Sequence, residues 1–175
     1  ERTGVVLNQT RQFAGLVPKI FHGAAALARS LDCDTFPGAH AAVEVRRLPL
    51  GPALCISPWN APTVIAAHKV ASALSVGCPT ILKPSEWAPH PANILAEAIH
   101  QSDLPAGVFQ LVHGGGQVGA QLTADARIRA VSFTGGLAGG RAVAVSCAQQ
   151  IKPVQLELGG NNPLVVLADA DIELA

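Results

Sequence analysis

From Ala53 onward the chain alternates short apolar runs with stretches of helical spacing, and this alternation constrains the fold more than any other property of the sequence. "ALCIS" (53–57) precedes a predicted helix at 63–76, and "CPTILK" (78–83) precedes one at 91–101. "GVFQLV" (107–112) leads to a helix at 117–124 and "IRAVSF" (128–133) to one at 137–149, after which "KPVQLEL" (152–158) and "PLVVL" (163–167) close the series as strands. Strands separated by helices of this length are joined by crossovers, so the sheet is parallel. Its apolar, β-branched strands predict burial on both faces. The expectation is a doubly wound α/β domain, in which ligands collect at the carboxyl ends of the strands.

The segment before this series is less regular. From 7 to 31, Phe13, Leu16, Val17, Ile20, Phe21 and Ala24 recur at helical spacing around Pro18, which predicts one or two packed helices. "CDTFPGAH" (33–40) is read as loop, and the residues that follow as two extended runs around Leu48-Pro49-Leu50-Gly51-Pro52. With 175 residues, 49% of them hydrophobic, the chain can bury one core. Twelve basic residues balance twelve acidic ones, with no cluster beyond Arg46-Arg47, so neither a nucleic-acid face nor a membrane-surface patch is expected. Apolar stretches are broken by Gly, Pro, His or Lys well short of bilayer length, and no leader pattern opens the chain. Cys33, Cys55, Cys78 and Cys147 form no C-x-x-C pair, which argues against a zinc site or a disulfide framework and fits reduced thiols in the cytoplasm. Methionine is absent, and "ADADIELA" (168–175) starts like a helix capped by Asp169 or Asp171 but stops within about one turn, so a piece of a longer protein is expected.

The residues that follow each predicted strand carry the chemistry: "PWN" (58–60), "KPSE" (83–86), "HGGGQVG" (113–119), "FTGG" (133–136) and "ELGG" (157–160). Gly114, Gly116 and Gly119 form G-x-G-x-x-G between a strand and a helix, a dinucleotide fingerprint or simply a closely packed turn; no acid between 131 and 148 stands ready for a ribose. Lys83 and Glu86 could donate to and accept from vicinal hydroxyls, or form a solvated turn. "FTGGLAGGR" offers backbone N–H groups at a helix start, an anion site or a flexible turn. Asn60 reads as an N-cap or as a functional amide. Glu157 is the puzzle: a carboxylate inside an alternating apolar run that breaks on two glycines.

Taken together and in order, "PWNAP", "LKPSE", "FTGG" and "LELGG" resemble the NAD(P)-dependent aldehyde dehydrogenase superfamily, from about Arg47 to Ala175 and more faintly before it. The resemblance implies a Rossmann-like domain at 52–175 that binds NAD, with NADP the lesser alternative because Glu86 would oppose a 2′-phosphate. It further implies an N-terminal helical segment at 1–36 and part of an oligomerisation arm at 37–51, with the catalytic domain missing. Asn60 would donate its amide to the oxyanion of a thiohemiacetal, and Glu157 would be the general base, since a carboxylate in an apolar setting takes up a proton more readily and can activate water against a thioester. Lys83 and Glu86 would hold the adenosine ribose, Gly115 and Gly119 would lie at the adenine and its helix, and Ser57, Pro58, Trp59, Ser85, Phe133, Thr134, Gly135, Gly136 and Leu158 would complete the cofactor site. A small-molecule aldehyde is the implied substrate and a homodimer or homotetramer the implied assembly.

The chain departs from the family pattern in places. Gly136 and Leu137 replace a serine and a threonine, so a pyrophosphate there would rest on backbone N–H groups, and Asn161 replaces a common lysine. The family's catalytic cysteine lies beyond "ELGG" and past Ala175, while Cys55, Cys78 and Cys147 match no nucleophile motif. The chain alone is therefore expected to be inactive. The alternative is a truncated homologue serving as a nucleotide-binding or interaction module; an acylating relative is disfavoured because it would not need Glu157.

Overall fold

The computed structural model describes residues 5–31, 34–36 and 43–173. Helix α1 (Leu7–Ala28) opens the chain, and the antiparallel pair β1 (Asp34–Phe36) and β2 (Val43–Val45) follows. The remainder alternates as β3 (Ala53–Ser57), α2 (Pro62–Ser75), β4 (Thr80–Pro84), α3 (Pro89–His100), β5 (Phe109–Leu111), α4 (Gly116–Ala124), β6 (Ala130–Thr134), α5 (Leu137–Gln149) and β7 (Val154–Glu157). The last five strands form one parallel sheet in the order β5-β4-β3-β6-β7. This is the doubly wound architecture expected from the alternation, with the chain reversing direction across the sheet between β3 and β6.

Side-chain alternation along β3 separates the two layers of core. Cys55 points to the face covered by α2 and α3, where Val70, Leu95 and Ile99 pack against Leu82 and Phe109. Leu54 and Ile56 point to the other face, against Val143 and Cys147 of α5, with Leu122 of α4 beside them. Proline occupies the first helical position of both α2 and α3, where its missing N–H costs nothing. Helix α1 is a single helix with Pro18 inside it, and its Val17 and Phe21 rest on the α2–α3 layer.

Several expectations are corrected here. Residues 34–36, read as loop, are a strand; Pro37 and Gly38 carried the turn signal, and the extended residues before them pair with Val43–Val45. Residues 163–167, read as a strand, pair with nothing among the described residues, and Leu164 and Val165 are 83% and 74% exposed. A strand's backbone groups are satisfied only by a neighbouring strand, so an apolar run without one stays irregular. Residues 168–173 form turns rather than a helix start, although Asp171 does accept the Glu173 N–H at 3.1 Å. Burial on both faces holds for β3 and β4; β7 is an edge strand with Val154, Gln155 and Glu157 exposed. Cys33 and the predicted loop at 37–40 lie outside the described residues.

Candidate functional site

Parallel register brings the motif-bearing turns to one end of the sheet. Ser57 at the end of β3 lies level with Pro84 at the end of β4, Ile56 with Phe133, and Thr134 with Glu157. Beyond these ends lies a cavity of about 810 Å³. It is lined by Ser57, Pro58, Trp59 and Asn60 from the β3 turn, Lys83, Ser85 and Glu86 from the β4 turn, Gly119 from α4, Phe133, Thr134, Gly135 and Gly136 from the β6 turn, and Glu157 and Leu158 from the end of β7. Gly115 does not line it, yet a Cβ built on Gly115 would stand 3.7 Å from Glu86 Oε1, at the cavity's margin. The cavity straddles the point where strand order reverses, the place this architecture leaves open for a ligand.

The ribose candidates are held together. Lys83 is buried, its Nζ donates to the Pro84 carbonyl at 3.0 Å, and Glu86 Oε2 is 3.7 Å away at the open side. The Lys83 stem passes Gly119, whose Cβ position lies 3.6 Å from Lys83 Cδ. The G-x-G-x-x-G turn follows β5 at the sheet's outer edge rather than β3 or β6 at the reversal, while its Gly116 and Gly119 line the cavity. The glycine required in that turn is Gly114: its φ is +153°, and a Cβ there would meet Val118 Cγ2 at 2.4 Å.

The "FTGG" turn leads into α5, whose N-cap is Gly136 in extended geometry without a side-chain cap. With no side-chain cap among the described residues, the first N–H groups of α5 can meet an anion. Two hydroxyls point the same way: Ser57 Oγ and Thr134 Oγ1 are buried and have no hydrogen-bond partner among the described residues. Native folds rarely leave buried hydroxyls unpaired, so their position at the cavity wall fits a polar ligand that completes them. A buried ammonium beside an exposed carboxylate, unpaired hydroxyls and a free helix N-terminus together suit a sugar-pyrophosphate, and the residues present therefore fit a nicotinamide dinucleotide.

Asn60 is exposed at the cavity's edge, and Ala61, not Asn60, is the N-cap of α2, which removes the capping alternative. Glu157 stands exposed at the end of the edge strand, so the apolar setting expected for it is not provided by the described residues.

Motif reading missed a chain of polar groups on the opposite face, buried at its Lys69 end and exposed at Gln155. Lys69 Nζ, reaching from the middle of α2, donates to Ser132 Oγ at 2.7 Å, and Ser132 donates to Gln155 Oε1 at 2.9 Å. Burial pushes the Lys69 ammonium below its ordinary value, while neighbouring Cys55 and Glu157 oppose that shift. Lys69, Ser132 and Gln155 line a second cavity of about 640 Å³ with Cys55 and His68, and Glu157 lines both cavities. The signal for Lys69 was a single cation within "VIAAHKVASALSV", an apolar helical stretch. Cys55, Cys78 and Cys147 are buried, and none lines the larger cavity. Burial pushes the Cys55 thiol up to about 12, with Lys69 pulling it down, and raises Cys147 likewise. No group of three or more His, Cys, Asp or Glu among the described residues is placed to hold a metal, and no helix among them is long and apolar enough to cross a membrane.

Fold and site thus define a doubly wound α/β domain with a ligand cavity at its reversal point. The aldehyde dehydrogenase family model matches residues 1–175, and the chain belongs to that family. It is 40% identical over 151 residues to glutarate-semialdehyde dehydrogenase of Pseudomonas aeruginosa, covering 85% of this chain and 31% of that protein. It is 43% identical over 145 residues to the NADP(+) succinate-semialdehyde dehydrogenase GabD of Escherichia coli, covering 81% and 30%. The crystal structure of an NAD-dependent aldehyde dehydrogenase from Sinorhizobium meliloti superposes with a TM-score of 0.88 at 36% identity, over 97% of this chain and 34% of that one. The chain therefore spans about a third of the length of these relatives.

Proposed function

We propose that this chain is the cofactor-binding part of an enzyme that oxidises an aldehyde to a carboxylic acid with NAD through a cysteine thioester. The observation that carries the reading is that Asn60, Glu157 and the Lys83–Glu86 pair line one cavity at the strand ends. Lys83 and Glu86 hold the adenosine ribose, and the Glu86 charge disfavours the added phosphate of NADP. The N–H groups at the start of α5 and the hydroxyls of Ser57 and Thr134 meet the pyrophosphate side. When bound, NAD accepts the hydride. Asn60 donates its amide to the oxygen that gains negative charge when a thiolate adds to the aldehyde. Glu157 takes a proton from the water that hydrolyses the thioester, its exposed position leaving it open to that water. The thiolate comes from the part of the relatives' length that this chain does not span, because the described cysteines are buried outside the cavity. In the assembled enzyme residues 37–51, which include β2, form part of an arm for a homodimer or homotetramer, and the setting is cytoplasmic.

The test is aldehyde-dependent NADH formation by the full-length enzyme bearing this sequence. Glu157→Gln should lower turnover by about 10²- to 10⁴-fold, the usual contribution of a general base, while leaving NAD affinity in place. Unchanged thioester hydrolysis in that variant removes Glu157 from the mechanism. A second reading, a nucleotide-binding module without catalysis, draws on the burial of the thiols away from the cavity; a full-length protein that binds NAD but forms no NADH with any aldehyde would support it.

A further inference from the structure

We propose that Trp87 is the platform on which the adenine of the dinucleotide stacks, an inference that rests on the cofactor reading of the larger cavity. The chain has two tryptophans, and both line this cavity: Trp59 beside Asn60 and Trp87 beside Glu86. Trp87 is 78% exposed, more than Trp59 at 58%, and a ring of that size left in water forgoes most of the burial that ordinarily holds an indole in a fold.

The exposure is not that of a loose loop. The Trp87 N–H donates to Ser85 Oγ at 3.3 Å, the Ala88 N–H donates to the Ser85 carbonyl at 3.1 Å, Ala88 is buried, and Pro89 starts α3 immediately afterwards. The turn is thus pinned at both ends, and its Trp87 lines the cavity. The residue before it, Glu86, faces Lys83 across 3.7 Å as the pair suited to ribose hydroxyls. Trp87, the next residue along, lines the same cavity and so offers a ring to a base carried by a ribose held there. The α4 residues that line the same cavity, Gly116, Gly119 and Ala120, are small, and a Cβ on Gly116 would meet nothing within 4 Å, so a flat ring has room. Ring faces of purine and indole attract without regard to sequence or charge. The ligand class is therefore a purine nucleotide with free ribose hydroxyls.

The experiment uses the full-length enzyme bearing this sequence, with every tryptophan but Trp87 replaced by phenylalanine for emission titrations with NAD, with AMP and with nicotinamide mononucleotide, while calorimetry follows NAD binding to the otherwise wild-type enzyme, Trp87→Ala and Trp87→Phe. The expected result is saturable quenching of Trp87 emission by NAD and AMP but not by nicotinamide mononucleotide, and about tenfold weaker NAD binding in Trp87→Ala, within the range for losing one base–aromatic stack. Trp87→Phe, which keeps a ring, should recover most of the affinity. NAD binding with silent Trp87 emission and wild-type affinity in Trp87→Ala overturns the inference and leaves the cofactor site standing. No NAD binding by the folded wild-type enzyme overturns the cofactor reading and this inference with it.

Discussion

Replacing Gly136 by serine isolates one part of the proposed cofactor site. Gly136 is the N-cap of α5 with φ −72° and ψ 158°, a backbone geometry serine adopts freely, and a Cβ there would meet nothing within 4 Å. The substitution therefore brings a hydroxyl to the cavity wall without strain. Serine caps a helix better than glycine by only a few tenths of a kcal/mol, which moves the melting midpoint of a domain this size by about 1 °C. A hydroxyl donating to a charged pyrophosphate contributes more, about 1.5 kcal/mol, or roughly a tenfold lower Kd for NAD. The assay is NAD calorimetry alongside thermal melting of the ligand-free chain. Tenfold tighter NAD with an almost unchanged midpoint supports a pyrophosphate at the start of α5. A higher midpoint with unchanged NAD affinity would refute the reasoning, because the hydroxyl would then cap the helix and meet no ligand.

Other outcomes follow from the same geometry. Glu86→Gln removes the charge facing the 2′ position and should raise NADP affinity several-fold relative to NAD; an unchanged ratio in competitive titration would place the 2′ position away from Glu86. Cys55, 1% exposed with its thiol pushed up to about 12, holds about one thiolate in ten thousand at pH 8, so folded chain treated with iodoacetamide should show Cys55 unmodified by peptide mass analysis, and rapid alkylation would contradict its burial. Lys69 loses its proton more readily folded than unfolded, so above its folded value and below 10.5 the unfolded state binds more protons and stability rises with pH. Urea denaturation should accordingly show wild type gaining on Lys69→Met as pH climbs from neutrality toward 10.5; ionisation of unfolded Cys55 above 9.0 lowers both proteins alike and cancels in the difference. A constant difference would mean that Lys69 is not desolvated.

Strand β3 and helix α5 lie where the pattern placed them, because each has a strong local period and a clear punctuation: Gly-Pro before Ala53, Gly-Gly before Leu137. Residues 34–36 and 163–167 went the other way for a shared reason. A strand is completed by its partner, and three residues before a Pro-Gly carry too little pattern to announce one, while an apolar run such as Leu164 to Leu167 announces one that no described neighbour completes. The lining of the cavity was legible wherever residues cluster at a strand end, as Lys83 and Glu86 do. Lys69, Ser132 and Gln155 belong to a helix and two strands, and their hydrogen bonds exist only once α2 is laid across the sheet. Trp87 escaped notice because nothing in "KPSEW" separates a displayed indole from a packed one. The glycines divide similarly: the sequence cannot distinguish Gly140, whose Cβ would strike Leu158 Cδ2 at 2.4 Å, from Gly136, which faces open space.

If the dinucleotide occupies the cavity at the sheet reversal, its pyrophosphate lies at α5 and not on the glycine turn after β5. A crystal structure of the chain grown with saturating NAD tests it most directly. The expected result is ribose hydroxyls on Lys83 and Glu86 and the pyrophosphate at the first turn of α5. A nucleotide with its pyrophosphate on the Gly114–Gly119 turn, or a cavity that stays free of nucleotide at saturation, would contradict it.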